Sequence, residues 1–263
     1  MDERIAVPGH DIVGLRAGNP GPFTLSGTNS WVVGSEPAWL IDPGPALEDH
    51  VEVLVAELTR RGGPAGIALT HDHADHSEAV GAMRARYPGV ALAGARGDVD
   101  VRLRDGDRFG PLRALATPGH APDHLAYLTG AVAFSGDAVL GEGSVFVAPD
   151  PGALVGYLDG LKRLREQQLD ALCPGHGPVV VDPAAKIDEY LAHRQDRERR
   201  LQGAIADGAR TVEEMLDGAW GEVPAGLRPA AAVTLAAHLD KLADEGRLPA
   251  DVQRPELGLT GGG

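Results

Sequence analysis

The sequence predicts an α/β fold followed by a small helical domain. Three observations carry this. Short apolar runs alternate with segments of helical period up to about Pro183, His or Asp closes run after run, and beyond Pro183 only helical patterns remain. The 263 residues suffice for one large and one small domain, here 1–183 and 184–263. Hydrophobic residues make up 43% and aromatics only 4%, so the core must be built of Val, Leu, Ile and Ala.

Trp31-Val32-Val33 and Trp39-Leu40-Ile41 flank Gly34-Ser35-Glu36-Pro37 and read as a β-hairpin. Asp42-Pro43-Gly44-Pro45 breaks its second strand. Leu47, Val51, Leu54, Val55 and Leu58 recur at helical spacing until Gly62-Gly63. Gly66 to Thr70 is a buried strand that runs into His71. A helix from about His76 places Val80, Met83 and Tyr87 on one face, and Val90 to Ala93 is the next strand. After an Asp105-Gly106-Asp107 turn, Leu112 to Ala116 is a strand leading to Thr117-Pro118-Gly119-His120. Leu125–Leu128 and Ala131–Phe134 pair across Thr129-Gly130, and the second strand leads into Ser135-Gly136-Asp137. A helix over 152–168 precedes the strand Asp170–Cys173, which ends at Pro174-Gly175-His176. Helices over 183–205, 211–220 and 228–245, with a short β wing near Gly246-Arg247-Leu248, complete the expected elements. Gly261-Gly262-Gly263 is a low-complexity tail.

The formal net charge of −14 disfavours non-specific binding of a polyanion. It leaves room for a nuclease, because bound dications change the local sign. Cys173 is the single cysteine, so no intrachain disulfide forms. Neither a signal peptide nor a membrane span is read from the sequence, and the expected compartment is the cytoplasm.

The chemistry concentrates in Thr70-His71-Asp72-His73-Ala74-Asp75-His76. Imidazole and carboxylate are the ligand types zinc accepts. Alternate residues of a turn face different sides, so His71 and His73 can serve one metal while Asp75 and His76 serve another. A solvated surface cluster would look the same in isolation. His120, Asp137 and His176 tip the balance, because each follows a strand and adjoins a glycine that lets backbone approach closely. Two divalent ions, zinc first among them, are the expected cofactors. Cys173, three residues before His176, reads as a core residue rather than a further ligand.

The His-x-His-x-Asp-His run with the later His120, Asp137 and His176 resembles the metallo-β-lactamase superfamily over roughly residues 10–180. The resemblance implies an αββα metallo-β-lactamase sandwich with metals at one rim. It implies that His71, His73 and His120 bind the first metal, that Asp75, His76 and His176 bind the second, and that Asp137 bridges them. Asp42 matches the aspartate that supports a metal ligand from behind in that family; a turn or helix N-terminal residue is the other reading. Gly119-His120-Ala121-Pro122-Asp123-His124, Phe134-Ser135-Gly136-Asp137, Gly141-Glu142-Gly143-Ser144 and Pro174-Gly175-His176-Gly177-Pro178, with the winged-helix-like end, are similar to the lactamase-beta-like endoribonuclease branch. That branch cleaves single-stranded RNA, and close relatives are thioesterases that release polyketides from acyl carriers.

The expected activity is therefore metal-dependent hydrolysis of single-stranded RNA by water activated between two metals. The first alternative is a thioesterase acting on acyl-carrier, coenzyme A or glutathione thioesters. The second is a non-catalytic winged-helix binding protein. Asp75 is the candidate for proton handling as well as ligation. His124 is a candidate for orienting neighbours or the leaving group, or else a hydrogen-bonded structural histidine. Ser144 is a candidate for binding substrate oxygen atoms. No Gly-x-Ser-x-Gly elbow and no P-loop suggests another mechanism. From residue 184 onward ten Lys and Arg stand against fourteen Asp and Glu, which offers little to RNA. The basic run Arg194–Arg200 reads as a solvated helix face with internal ion pairs, and the last helix carries Thr234, His238 and Lys241 off its core stripe. The C-terminal region is expected to pack beside the active site or to form a homodimer contact.

Overall fold

The computed structural model describes residues 3–147 and 149–256; the triple-glycine tail lies outside them. One sheet holds seven strands in chain order: β1 (Glu3–Ala6), β2 (Ile12–Arg16), β3 (Asn29–Val33), β4 (Ala38–Ile41), β5 (Pro64–Ala68), β6 (Ala91–Gly94) and β7 (Val101–Arg102). It is antiparallel from β1 to β4 and parallel from β4 to β7. The second sheet holds β8 (Arg108–Phe109), β9 (Leu112–Ala116), β10 (Leu125–Thr129), β11 (Val132–Gly136) and β12 (Ala171–Pro174), in the order β12-β11-β10-β9-β8. Only the β11–β12 pair in it is parallel.

The sheets face each other over Trp31, Ile41, Leu112, Tyr127, Phe134 and Cys173. Helices α1 (Glu48–Arg60), α2 (Ala74–Ser77) and α3 (Val80–Arg86) lie in the first half of the chain. Leu54 and Leu58 of α1 and Met83 of α3 cover the outer face of the first sheet. Helix α4 (Ala153–Arg165) and the start of α5 (Pro183–Ala206) cover the second, through Leu154, Leu161, Ile187 and Tyr190. Covering both faces explains why β3 and β11 are buried at every position. The result is the four-layer αββα arrangement.

Helices α6 (Val212–Trp220) and α7 (Arg228–Asp244) build a separate cluster with the far half of α5, centred on Leu201, Met215, Trp220 and Leu239. Helix α5 thus belongs to both cores. Asp182 caps it by accepting from the Ala185 backbone N–H at 3.0 Å, and Pro183 occupies its first turn. Thr211 and Glu214 form a reciprocal capping box that starts α6.

Several expectations need correction. Strands β1 and β2 carry no clear alternation, because β1 is an edge strand and Gly14 interrupts β2. A Cβ at Gly14 would stand 2.7 Å from the Trp31 ring, so packing dictates that gap. The expected β wing is absent among the described residues; the chain turns after α7 without pairing. Arg199 and Arg200 do pair with Asp196 on the helix surface. Arg194 and Arg197 of the same run are buried instead. Thr234 and His238 are buried too, because α7 packs on more than its leucine stripe.

A polar knot ties the N-terminal strands to α1. Buried Glu57 accepts from Arg4 at 2.7 Å and from Arg60 and Arg61 at 2.6 Å each, and Arg61 also reaches Asp11 at 2.7 Å. Burial pushes the Glu57 carboxyl up, but hydrogen bonds from Arg60, Arg4 and Arg61 outweigh it and hold it well below its usual value. A depressed folded-state pKa contributes stability above the unfolded pKa and loses it as pH falls. Glu57→Gln is expected to cost about 3 kcal/mol in urea unfolding at pH 7. The gap between variant and wild type should narrow as pH falls below about 4.5.

Candidate metal centre

The C-terminal ends of β4, β5, β9, β11 and β12 open onto one rim, because β9, β11 and β12 share a direction and so do β4 and β5. Asp42, the His71–His76 run, His120, Asp137 and His176 follow those ends directly. Cross-sheet bonds lock the rim. Leu125 N–H donates to Thr70 O at 2.7 Å, Tyr127 hydroxyl to Leu69 O at 2.7 Å, and Trp31 Nε1 to Pro174 O at 3.1 Å.

His73 Nδ1 lies 3.0 Å from His71 Nε2 and 3.1 Å from His120 Nε2, so three ring nitrogens converge. On the other side His76 Nε2 lies 3.5 Å from Asp75 Oδ2, and His176 Nε2 lies 3.3 Å from the same oxygen. Asp137 stands between the groups. Its Oδ2 is 3.4 Å from both His120 Nε2 and His176 Nε2, and its Oδ1 is 3.5 Å from His76 Nε2. Two ligands of a tetrahedral zinc ion with bonds of 2.0–2.1 Å sit about 3.3 Å apart, so these spacings suit shared ions. The fit has a second sign: His76 Nε2 and Asp137 Oδ1 are buried without any hydrogen-bond partner. Water cannot reach them, and buried polar atoms left alone are costly. The backbone also makes room. A Cβ on Gly175 would stand 2.4 Å from Asp137 Oδ1 and 2.7 Å from His76 Cε1. The clusters are consistent with a dinuclear metal site.

Four of the rim imidazoles, His71, His76, His120 and His176, are aimed from behind. Asp42, buried with φ +50°, accepts from Thr70 N–H and Thr70 hydroxyl at 2.7 Å each and lies 2.9 Å from His76 Nδ1. Thr70 Oγ1 lies 3.0 Å from His71 Nδ1. His120 Nδ1 and His176 Nδ1 lie 3.3 Å from the carbonyls of Phe146 and Gly27. Such bonds fix the tautomer that leaves Nε2 free. His124 Nε2 accepts from the Asp137 N–H at 3.0 Å, so its proton sits on Nδ1, 2.8 Å from Thr117 Oγ1. His124 therefore orients Asp137 and does not face the rim. Ser144 Oγ accepts from Arg194 at 3.1 Å. Thr70 and Thr117 were not singled out from sequence, whereas Gly175 was read as the glycine that lets backbone approach at His176. Only Thr70 carried a signal, by adjoining His71.

Burial holds His71 neutral and pulls His120 down to about 4 and His124 to about 3. Burial also opposes charge on His76 and His176, but Asp137, with Asp42 on the first and Asp75 on the second, reverses the outcome. His76 rises well above its ordinary value and His176 rises to about 9. Burial would raise the Asp137 carboxyl, and the facing His76 and His176 hold it far down instead. Cys173 is fully buried in the inter-sheet core, where desolvation raises its thiol.

The rim forms the floor of a cavity of about 890 Å³. Phe23, Phe146, Trp220, Leu227 and Val233 are among its apolar lining residues, the last three from the C-terminal region.

Residues 211–251 match the family model of the beta-lactamase associated winged helix domain. An atrochrysone carboxyl ACP thioesterase from Aspergillus chevalieri is 36% identical over 236 residues, covering 81% of this chain and 74% of that protein. The chain belongs to the metallo-β-lactamase superfamily. A beta-lactamase domain protein from Burkholderia ambifaria shares the superfamily fold at a TM-score of 0.77, with 21% identity over 93% of this chain and 89% of that one. TTHA1623, solved in a di-iron-bound form, is 29% identical with a TM-score of 0.51, covering 63% of this chain and 93% of that one. This metallo-β-lactamase-superfamily chain is a metal-dependent hydrolase. Among the described residues no helix is long and apolar enough to cross a membrane.

Metal binding must displace the protons that His76 and His176 carry at neutral pH. Zinc titration of metal-free protein, by calorimetry in buffers of different ionisation enthalpy, should release protons at pH 7. Release should fall as pH rises past about 9. Uptake of zinc without proton release would contradict this charge arrangement.

Proposed function

We propose that the protein hydrolyses thioesters carrying a bulky apolar acyl group. The observation that carries this is the cavity over the rim, whose lining includes the apolar Trp220, Val223, Leu227 and Val233 of the C-terminal region beside Phe23 and Phe146. The likeness to an acyl-carrier-protein thioesterase supports it. The sequence alone had put RNA first, and the cavity reverses that order. Its two arginines are buried and committed: Arg194 to Ser144 and Val145, Arg197 to Ala219 and Glu222. Neither is free to neutralise phosphates, and the chain as a whole carries −14.

In this reading His71, His73 and His120 hold one dication, Asp75, His76 and His176 the second, and Asp137 stands between them. When bound, such a pair polarises a carbonyl and acidifies water. Zinc and iron are both compatible with this mixed donor set. Asp42 and Thr70 keep His76 and His71 in register, and His124 holds the Asp137 backbone. Asp75 is partly open, its side chain 30% exposed, and lines the cavity, with Thr28 hydroxyl 3.3 Å from its Oδ2. It is placed to accept a proton from water and pass it on. The leaving thiol has an ordinary pKa of about 8.5, so it departs as thiolate without a strong acid. That suits a rim whose remaining imidazoles are committed. The apolar wall excludes water from the acyl chain and orients the carbonyl toward the floor.

The test is thiol release from coenzyme A and acyl-carrier thioesters of graded acyl size, with metal-replete wild type and Asp137→Ala. Turnover should rise about tenfold in kcat/KM for each two methylenes buried. It should be lost in Asp137→Ala and on chelation. Cleavage of single-stranded RNA that disappears in Asp137→Ala, with no thioester turnover, would refute the proposal.

A further inference from the structure

His120 differs from the other rim imidazoles in what aims it. The Nδ1 partners of His71, His76 and His176 are Thr70, Asp42 and Gly27, all in the sandwich. His120 Nδ1 instead lies 3.3 Å from the Phe146 carbonyl, and the Phe146 ring packs on its imidazole at 4.7 Å. The C-terminal helices grip that segment on both sides of Phe146. Arg194 of α5, only 2% exposed, donates to Ser144 Oγ at 3.1 Å and to Val145 O. Thr234 of α7 accepts from Val147 N–H at 3.3 Å. The Arg194 guanidinium also lies over the Tyr157 ring at 5.3 Å. Its partners are thus a hydroxyl, a carbonyl and an aromatic face.

We infer that Arg194 is a positioning residue for the tri-histidine metal position: it fixes the segment whose Phe146 carbonyl aims His120, so the C-terminal helices set metal binding at the rim. This rests on His71, His73 and His120 being ligands of one ion. Arg194, Ser144, Val145, Phe146 and Thr234 also line the cavity. The residues that support His120 therefore share the cavity with the proposed acyl-binding surface. Removing the guanidinium frees the segment and disturbs one metal position while sparing the other.

Cobalt(II) titration of the metal-free, full-length protein, followed by absorption, reads both positions. His73→Gln identifies the tri-histidine step by abolishing it, and His176→Gln identifies the other. Arg194→Met is expected to weaken the tri-histidine step about 10- to 100-fold, shift its bands, and leave the other step within about twofold. Arg194→Lys, which reaches one acceptor but not both, should recover part of the loss. Thr234→Val should move the same step in the same direction, and it supplies the readout if Arg194→Met does not fold. Arg199→Met, at a 74% exposed side chain of the same helix, should leave both steps as in wild type. Folded Arg194→Met, or Thr234→Val in its place, with wild-type bands and affinities overturns the inference. Equal weakening of both steps also overturns it, since that is general loosening. A wild-type titration with no step that His73→Gln removes overturns the ligand reading, and this inference with it.

Discussion

The structure depends on holding a ring of imidazoles and carboxylates out of water at the meeting edge of two sheets. Asp137 is its centre. The carboxylate is buried, faces His76, His120 and His176 at 3.4–3.5 Å, and leaves one oxygen without a hydrogen bond. Isolated buried charge is costly. Here it is balanced by raised imidazole pKa values in the metal-free protein, and cations take over that balance when bound. Much of the neighbouring backbone follows from this demand. Gly175 leaves the space, Asp42 adopts a positive φ to reach Thr70 and His76, and bonds across the sheets keep the loops in register.

The C-terminal helices complete what the sandwich begins. They share α5 with it, supply the apolar wall of the cavity, and clamp the segment that touches His120. A winged-helix module suggests nucleic acid when read by analogy. In this chain Thr234 and His238 of that module are buried, as are Arg194 and Arg197 of α5 beside it, while the exposed groups Glu213, Asp217 and Asp251 are acidic. Trp220, Leu227 and Val233 of the module line the cavity over the rim, and fold-level analogy is a poor guide to its partner.

How much was legible in the sequence follows from how local each feature is. His71, His73, Asp75 and His76 announce themselves because donor types at short spacing need no tertiary information. His120, Asp137 and His176 were legible because each follows an apolar run and adjoins a glycine. The roles of Thr70, Thr117 and His124 are hydrogen-bond facts between distant elements, and no pattern encodes them. Strand β2 was hidden by Gly14, whose missing side chain makes room for Trp31. The basic run misled in part because charge along a helix does not say which side faces the protein. Arg194 and Arg197 lie on the buried side of α5, Arg199 and Arg200 on the exposed side. Substrate class was not legible for the same reason: the cavity lining draws on residues of α6, α7 and the turn between them together with Phe23 and Phe146, and exists only once the chain is folded.

If the donor set is read correctly, two ions share this rim across Asp137. Anomalous diffraction from crystals grown with zinc tests it most directly. Two peaks about 3.5–4 Å apart are expected, one among His71, His73 and His120 and the other among Asp75, His76 and His176, with Asp137 touching both. A single peak, or peaks away from these side chains in fully loaded protein, would contradict it.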